Sequence, residues 1–80
     1  MPLTLLSIGE KATIVKLTGH PGMRHHLTEL GFILGNYVEV IQQSFGDNLI
    51  IKLENSRLAL DRRMAHHVHI NLLQEENHVN

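Results

Sequence analysis

The stretch MRHHLTELGFILGNYVEV, Met23 to Val40, decides the fold, because it reads as a short helix, a glycine stop, a tight turn and a strand with no residue to spare. Met23, Leu27 and Leu30 fall at i, i+4 and i+7, one stripe of a 3.6-residue period. Gly31 takes the left-handed conformation that a helix stop requires at almost no steric cost, and apolar Phe32 just beyond it folds back on the helix end. The helix therefore ends near Leu30. Leu34-Gly35 suits the centre of a type II turn, whose second central position demands positive φ. In the strand that follows, Val38 and Val40 point one way, and Tyr37, Glu39 and Ile41 the other.

Outward from this corner the chain becomes a series of hairpins. Phe45-Gly46-Asp47 is a turn signal between Tyr37 to Gln43 and Asn48 to Leu53. With Gln43 opposite Asn48, Val40 faces Ile51 and Val38 faces Leu53 on one side of the sheet. The other side pairs Ile41 with Ile50 and Glu39 with Lys52. A second hairpin turns at Asn55-Ser56, where Asn tolerates positive φ, so that Leu53 faces Leu58, Ile51 faces Leu60 and Glu54 meets Arg57. Arg62 to His66 is long enough for a single helical turn, and Val68 and Ile70 resume a period of two as a last strand. Thr13 to Thr18 supplies the first strand, with a bulge where Ile14 and Leu17 break alternation.

Five short strands, one inserted helix and a helical turn before the last strand close best as a small, strongly bent barrel that hides its edges. The expected core is Ile14, Leu17, Leu27, Leu30, Phe32, Val38, Val40, Leu49, Ile51, Leu53, Leu58, Leu60, Ala65, Val68 and Ile70. One domain, residues 1–73, carries all of this, and the polar residues 74–80 are expected to fray as a tail. Eighty residues bury only a modest core, so each large interior side chain matters.

Composition narrows the function. The chain holds no cysteine, hence neither disulfides nor a cysteine-based zinc site, which fits a reducing cytoplasm. MPLTLLSIGEK has no basic leader and too short an apolar run for a signal peptide or a membrane span, so a soluble cytoplasmic protein without membrane insertion is expected. A net charge of -1 with three aromatic residues (Phe32, Tyr37, Phe45) lacks the basic field and stacking surface of a nucleic-acid binder, and no RNA or DNA partner is expected.

Several pieces taken in order resemble the FeoA family, the small components of bacterial ferrous iron uptake. They are Ile8-Gly9-Glu10, Ile14 to Leu17, HLTELGFILGNYVEV, GDNLIIKL and RLALDRRMAHHVHI, and the resemblance as a whole runs from about Leu5 to Ile70. The sequence departs from the family pattern at Leu34 and Asn48, where Pro is common, and at Asn55, where Gly is frequent. The resemblance implies an SH3-like barrel. It also implies an accessory or regulatory role beside FeoB, a membrane permease with a cytoplasmic GTPase domain, and kinship with the SH3-like domains that end some iron-dependent repressors. The residues ahead of the first strand do not read as a helix-turn-helix, so a freestanding repressor is not expected.

Seven histidines are the one compositional excess. On a strand His67 and His69 share a face and are the candidate ligands for weakly held Fe²⁺ or Zn²⁺, while His66 points away. His25 and His26 are adjacent on the helix and do not converge. Gly19-His20-Pro21-Gly22 lacks the Gly-Lys-Ser/Thr of a phosphate loop and reads as a turn into the helix. Arg62 and Arg63, with Arg57 nearby in the fold, form the basic cluster, suited to an acidic or phosphate-bearing partner. No nucleophile, base and carboxylate constellation can be placed, so an enzyme is not expected and no cofactor is required. The outer face pairs Ile41 with Ile50, flanked by Lys52 and Glu39, a contact surface for the permease or a second copy of the chain. The alternative is a divalent-metal carrier or sensor that uses the surface histidines.

Overall fold

The computed structural model describes residues 1–43 and 46–73; Ser44 and Phe45 of the expected hairpin turn and the polar tail lie outside the described residues. A 3-10 turn at Leu3–Leu5 leads to β1 (Lys11–Leu17), α1 (Pro21–Leu30), β2 (Tyr37–Gln43), β3 (Asn48–Lys52), β4 (Arg57–Asp61), the single turn α2 (Arg62–Ala65) and β5 (Val68–Leu72). All strands are antiparallel in one sheet of order β4-β3-β2-β1-β5. Mainly β, five strands, one inserted helix and a helical turn before the last strand: this is the fold class expected from the sequence. The sheet bends without being laddered shut. Among the described residues β4 and β5 are its two ends, and α2 links them.

The corner forms as its residues dictate. His20 caps α1, its Nδ1 accepting the Met23 N–H at 3.1 Å, and Pro21 occupies the first helical position, where no donor is needed. At the other end Gly31 has φ 111°, its N–H donates to the Thr28 carbonyl and the Phe32 N–H reaches back to Leu27, both at 3.0 Å. This pair of bonds is a Schellman stop. A Cβ at Gly31 would also lie 3.0 Å from Leu53 Cδ1. Gly35 has φ 92° at the second central position of the next turn, closed by the Asn36 N–H on Ile33 at 3.1 Å. The turn is stitched to β1: Gly35 donates to Ile14 at 2.7 Å, and Ile14 donates to Asn36 at 2.9 Å.

Side-chain alternation identifies the faces correctly and the registers only in part. Val38, Val40, Leu49 and Ile51 are buried, and Glu39 opposite Lys52 and Val40 opposite Ile51 stand as expected. Beyond Val40 the register slips at Ile41, an extra residue on β2, so Gln42 faces Ile50 and Gln43 faces Leu49. Ile41 and Ile50 are therefore not a cross-strand pair. The bulge lets β2 bend while Leu49 stays inside. Between β3 and β4 the expected register is wrong by two residues: Ile51 faces Leu58, Leu49 faces Leu60 and Lys52 faces Arg57. The connection is a four-residue loop closed by the Leu53 N–H on Ser56 at 2.8 Å, and Asn55 does not adopt positive φ. A shift by two preserves each face, which is why patterning alone missed it. The bulge expected in β1 lies at Val15, between Ile14 and Lys16.

The core holds Ile14, Leu27, Phe32, Val38, Val40, Leu49, Ile51, Leu53, Leu60, Ala65, Val68 and Ile70, as expected, and adds Leu3, Leu6 and Ala12. Leu17, Leu30 and Leu58 are only partly buried against it. Leu3 and Leu6 reach the interior because the chain start lies along β5. Pro2 bridges to His69, and Met1 and Ile70 exchange two bonds of 2.7 and 3.1 Å.

Candidate functional site

The expected site residues are brought together only in part: His67, Arg62 and Arg63 line one cleft, and Arg57 lies at the far end of β4. His67 precedes β5 instead of lying on it, so strand alternation does not apply to it. Thr18 holds it there: the Thr18 N–H donates to the His67 carbonyl at 2.9 Å, and the Thr18 hydroxyl lies 3.1 Å from His67 Nδ1. The ring that meets His67 is that of His66, edge-on with centroids 6.3 Å apart, and both line a cleft of about 630 Å³ with Thr4, Leu5, Asp47, Asp61, Arg62 and Arg63. His66 thus points to the same cleft as His67, contrary to the alternation of a strand. His69 sits on β5 opposite Lys16. Burial lowers its pKa below the ordinary 6.5, aided by the chain's amino group, Lys16, His66 and His67. Among the described residues no three His, Asp or Glu side chains gather as a metal would require.

The basic cluster also divides. Arg62 and Arg63 flank the cleft on α2, whose first turn is capped by Asp61, Oδ1 accepting the Met64 N–H at 2.8 Å. Arg57 stands at the other end of β4, five residues away or about 17 Å along an extended strand. Its neighbour across the sheet is Lys52. Ile41 and Ile50 are half-buried, so the expected apolar pair presents less surface than an outer face usually would.

A surface that the sequence reading missed is more exposed. Val15, bulged out of β1, is 42% exposed, and Ile33 and Leu34 in the turn after α1 are 43% and 58% exposed. With Leu17, Phe32, Lys16, Arg24 and Thr28 they line a groove of about 490 Å³. Lys16 and Arg24 make its rim positive, and Arg24 is anchored by Nη1 donating to the Gly19 carbonyl at 2.6 Å. Two signals for it were present in the sequence: three consecutive apolar residues, Phe32-Ile33-Leu34, across a turn, and a bulge that turns one residue of β1 outward.

The FeoA domain model matches residues 1–72. The chain belongs to the FeoA family. Its fold is shared with an iron uptake regulatory protein (FeoA) at TM-score 0.84 and 25% identity, covering 91% of this chain and 97% of that one. The zinc complex of Stenotrophomonas maltophilia FeoA, a procaryotic SH3 domain protein, aligns at TM-score 0.73 and 25% identity over 89% of each chain. A manganese-dependent transcriptional repressor shares the fold at TM-score 0.83 and 16% identity, covering 91% of this chain and 41% of that one. No curated protein matches the sequence. The five-stranded fold is thus SH3-like, within a family of small accessory domains of iron transport. No helix among the described residues is long and apolar enough to cross a membrane.

Proposed function

We propose that this FeoA-family chain is a non-enzymatic accessory of ferrous iron uptake, acting in the cytoplasm by contact with a FeoB-type permease. The observation that carries the reading is the apolar groove at Val15, Ile33 and Leu34 with its positive rim at Lys16 and Arg24. An apolar centre ringed by charge is the anatomy of a protein contact. Its occupant is an apolar segment of the permease's cytoplasmic part flanked by carboxylates, complementary to Lys16 and Arg24. Leu34 leaves a large apolar side chain 58% exposed at the centre of this surface.

Co-purification with the permease from the same genome, with and without guanine nucleotide, tests this. Leu34→Asp loses the permease while its melting curve stays unchanged, and Ile50→Glu retains it. Equal recovery of Leu34→Asp and the unaltered chain would refute the groove. Loss with Ile50→Glu alone would move the contact to the outer face of β3.

The second reading, a divalent-metal carrier, draws on the zinc bound to the Stenotrophomonas relative. Here the candidate ligands are His66 and His67, whose rings share the cleft, together with His69. Unchanged zinc affinity in a variant with all three replaced by alanine would exclude it.

A further inference from the structure

The edge of β4 is built to accept its own copy. The Arg62 N–H donates to Asp47 at 2.6 Å and the Leu53 N–H donates to Ser56 at 2.8 Å, and these two bonds mark the hydrogen-bonded sites at both ends of the β3–β4 ladder. Because such sites alternate, Leu58 and Leu60 turn their main-chain groups toward β3, and Arg57, Ala59 and Asp61 turn theirs outward. Among the described residues no strand pairs with that outward row. All three side chains are exposed, Ala59 included.

The row is symmetric in its apolar centre and opposite in charge at its two ends: Arg57-Leu58-Ala59-Leu60-Asp61. Antiparallel pairing about a two-fold axis at Ala59 sets Ala59 against Ala59 of the second copy, Leu58 against Leu60, and Arg57 against Asp61, twice over. The carbonyl of Asp61 already serves the first turn of α2, as that of a helix-capping residue does, so four main-chain bonds would form: two between the alanines and two from Asp61 N–H to Arg57 carbonyl. Within one chain Arg57 stands directly beside Lys52, an unfavourable like-charge neighbour, and Lys52 has Glu39 on its other side. No ion pair holds Arg57 among the described residues. A second copy supplies the missing carboxylate and completes the row Glu39, Lys52, Arg57, Asp61. It also extends half-buried Ile50 and exposed Ala59 into an apolar stripe across the junction.

We propose that two copies of this chain associate reversibly through the β4 edge, in register about Ala59. This site lies apart from the groove assigned to the permease, and the chain alone suffices to test it. A single added strand pair buries little area, so the dimer is weak and strengthens at low salt.

Sedimentation over a concentration series reads it. The unaltered chain dimerises. Arg57→Asp and Asp61→Arg each weaken the dimer by at least about tenfold, because like charges then meet at both ends. An equimolar mixture of the two variants associates again. One copy then presents a carboxylate at each end of the row and the other a guanidinium at each end, a recovery that no unrelated interface would give. Ala59→Pro, which removes only an outward N–H at a strand edge, abolishes the dimer with the fold intact by circular dichroism. A chain that stays monomeric at millimolar concentration, or an Arg57→Asp variant that dimerises as the unaltered chain does, overturns the proposal. Should Asp61→Arg unfold for want of its cap, Arg57→Asp and Ala59→Pro decide the matter without it.

Discussion

The two edges of the sheet are finished in different ways. Along β5 the chain start is laid down as a cover: Pro2 bridges His69, Met1 and Ile70 exchange two hydrogen bonds, and Leu3 and Leu6 are driven into the core beneath. Along β4 nothing comparable is added among the described residues, and the outward positions carry Arg57, Ala59 and Asp61. A sheet edge is a template for another strand and must be covered, charged or used. The first edge is sealed with apolar side chains, and its contribution is to stability. The second is dressed with one charge of each sign, which leaves a folded monomer intact and selects what pairs with it.

This difference can be broken experimentally, most severely at the sealed edge. Leu3→Ala empties a fully buried site and should cost about 2–5 kcal/mol in chemical denaturation, whereas Leu5→Ala, two residues on and 65% exposed, should stay within about 0.5 kcal/mol. If the two changes cost the same, the chain start does not seal the core. At the open edge the larger effect comes from Asp61→Ala, which removes the cap of α2 and should cost about 1 kcal/mol. A cost near zero would mean that α2 is held by packing alone.

A gentler probe of the sealed edge is pH. The folded chain disfavours protonated His69 relative to the unfolded chain, so the unfolded state binds the proton more readily and stability rises with pH. The penalty is absent above the ordinary histidine value of 6.5 and grows as pH falls below it. His69→Gln should flatten the part of the acid-side slope that this residue supplies; an unchanged slope would assign it elsewhere. The smallest effect belongs to Arg57→Asp, whose folding stability in dilute solution should differ by less than about 0.5 kcal/mol although its self-association is lost. A large loss of stability would show that Arg57 serves its own fold.

The corner from Met23 to Val40 was legible because its determinants are local: one glycine for the helix stop, one for the turn, and strict alternation beyond. The hairpin registers were not, because a bulge at Ile41 and a two-residue shift between β3 and β4 leave every inward side chain inward. Leu3 and Leu6 escaped notice since a 3-10 turn has neither a strand's period nor a long helix's stripe. The histidines were misplaced by one boundary. Counting His67 as strand put it on one face with His69, whereas β5 starts at Val68 and the imidazole of His67 turns to Thr18 and His66. Contact surfaces are harder still to read, because Val15 is exposed by a bulge that also serves the bend of the sheet, and Arg57 acquires meaning only beside Lys52.

Residue-resolved amide exchange, followed from dilute to concentrated solution, tests most directly whether one edge is closed by the chain itself and the other is left for a second chain. The Ile70 amide, bonded to Met1 within one molecule, should be protected at every concentration, and the Ala59 amide should exchange freely when dilute and become protected only as the chain is concentrated. An Ala59 amide already protected at high dilution, or an Ile70 amide that exchanges as fast as that of Ala59, would contradict the account.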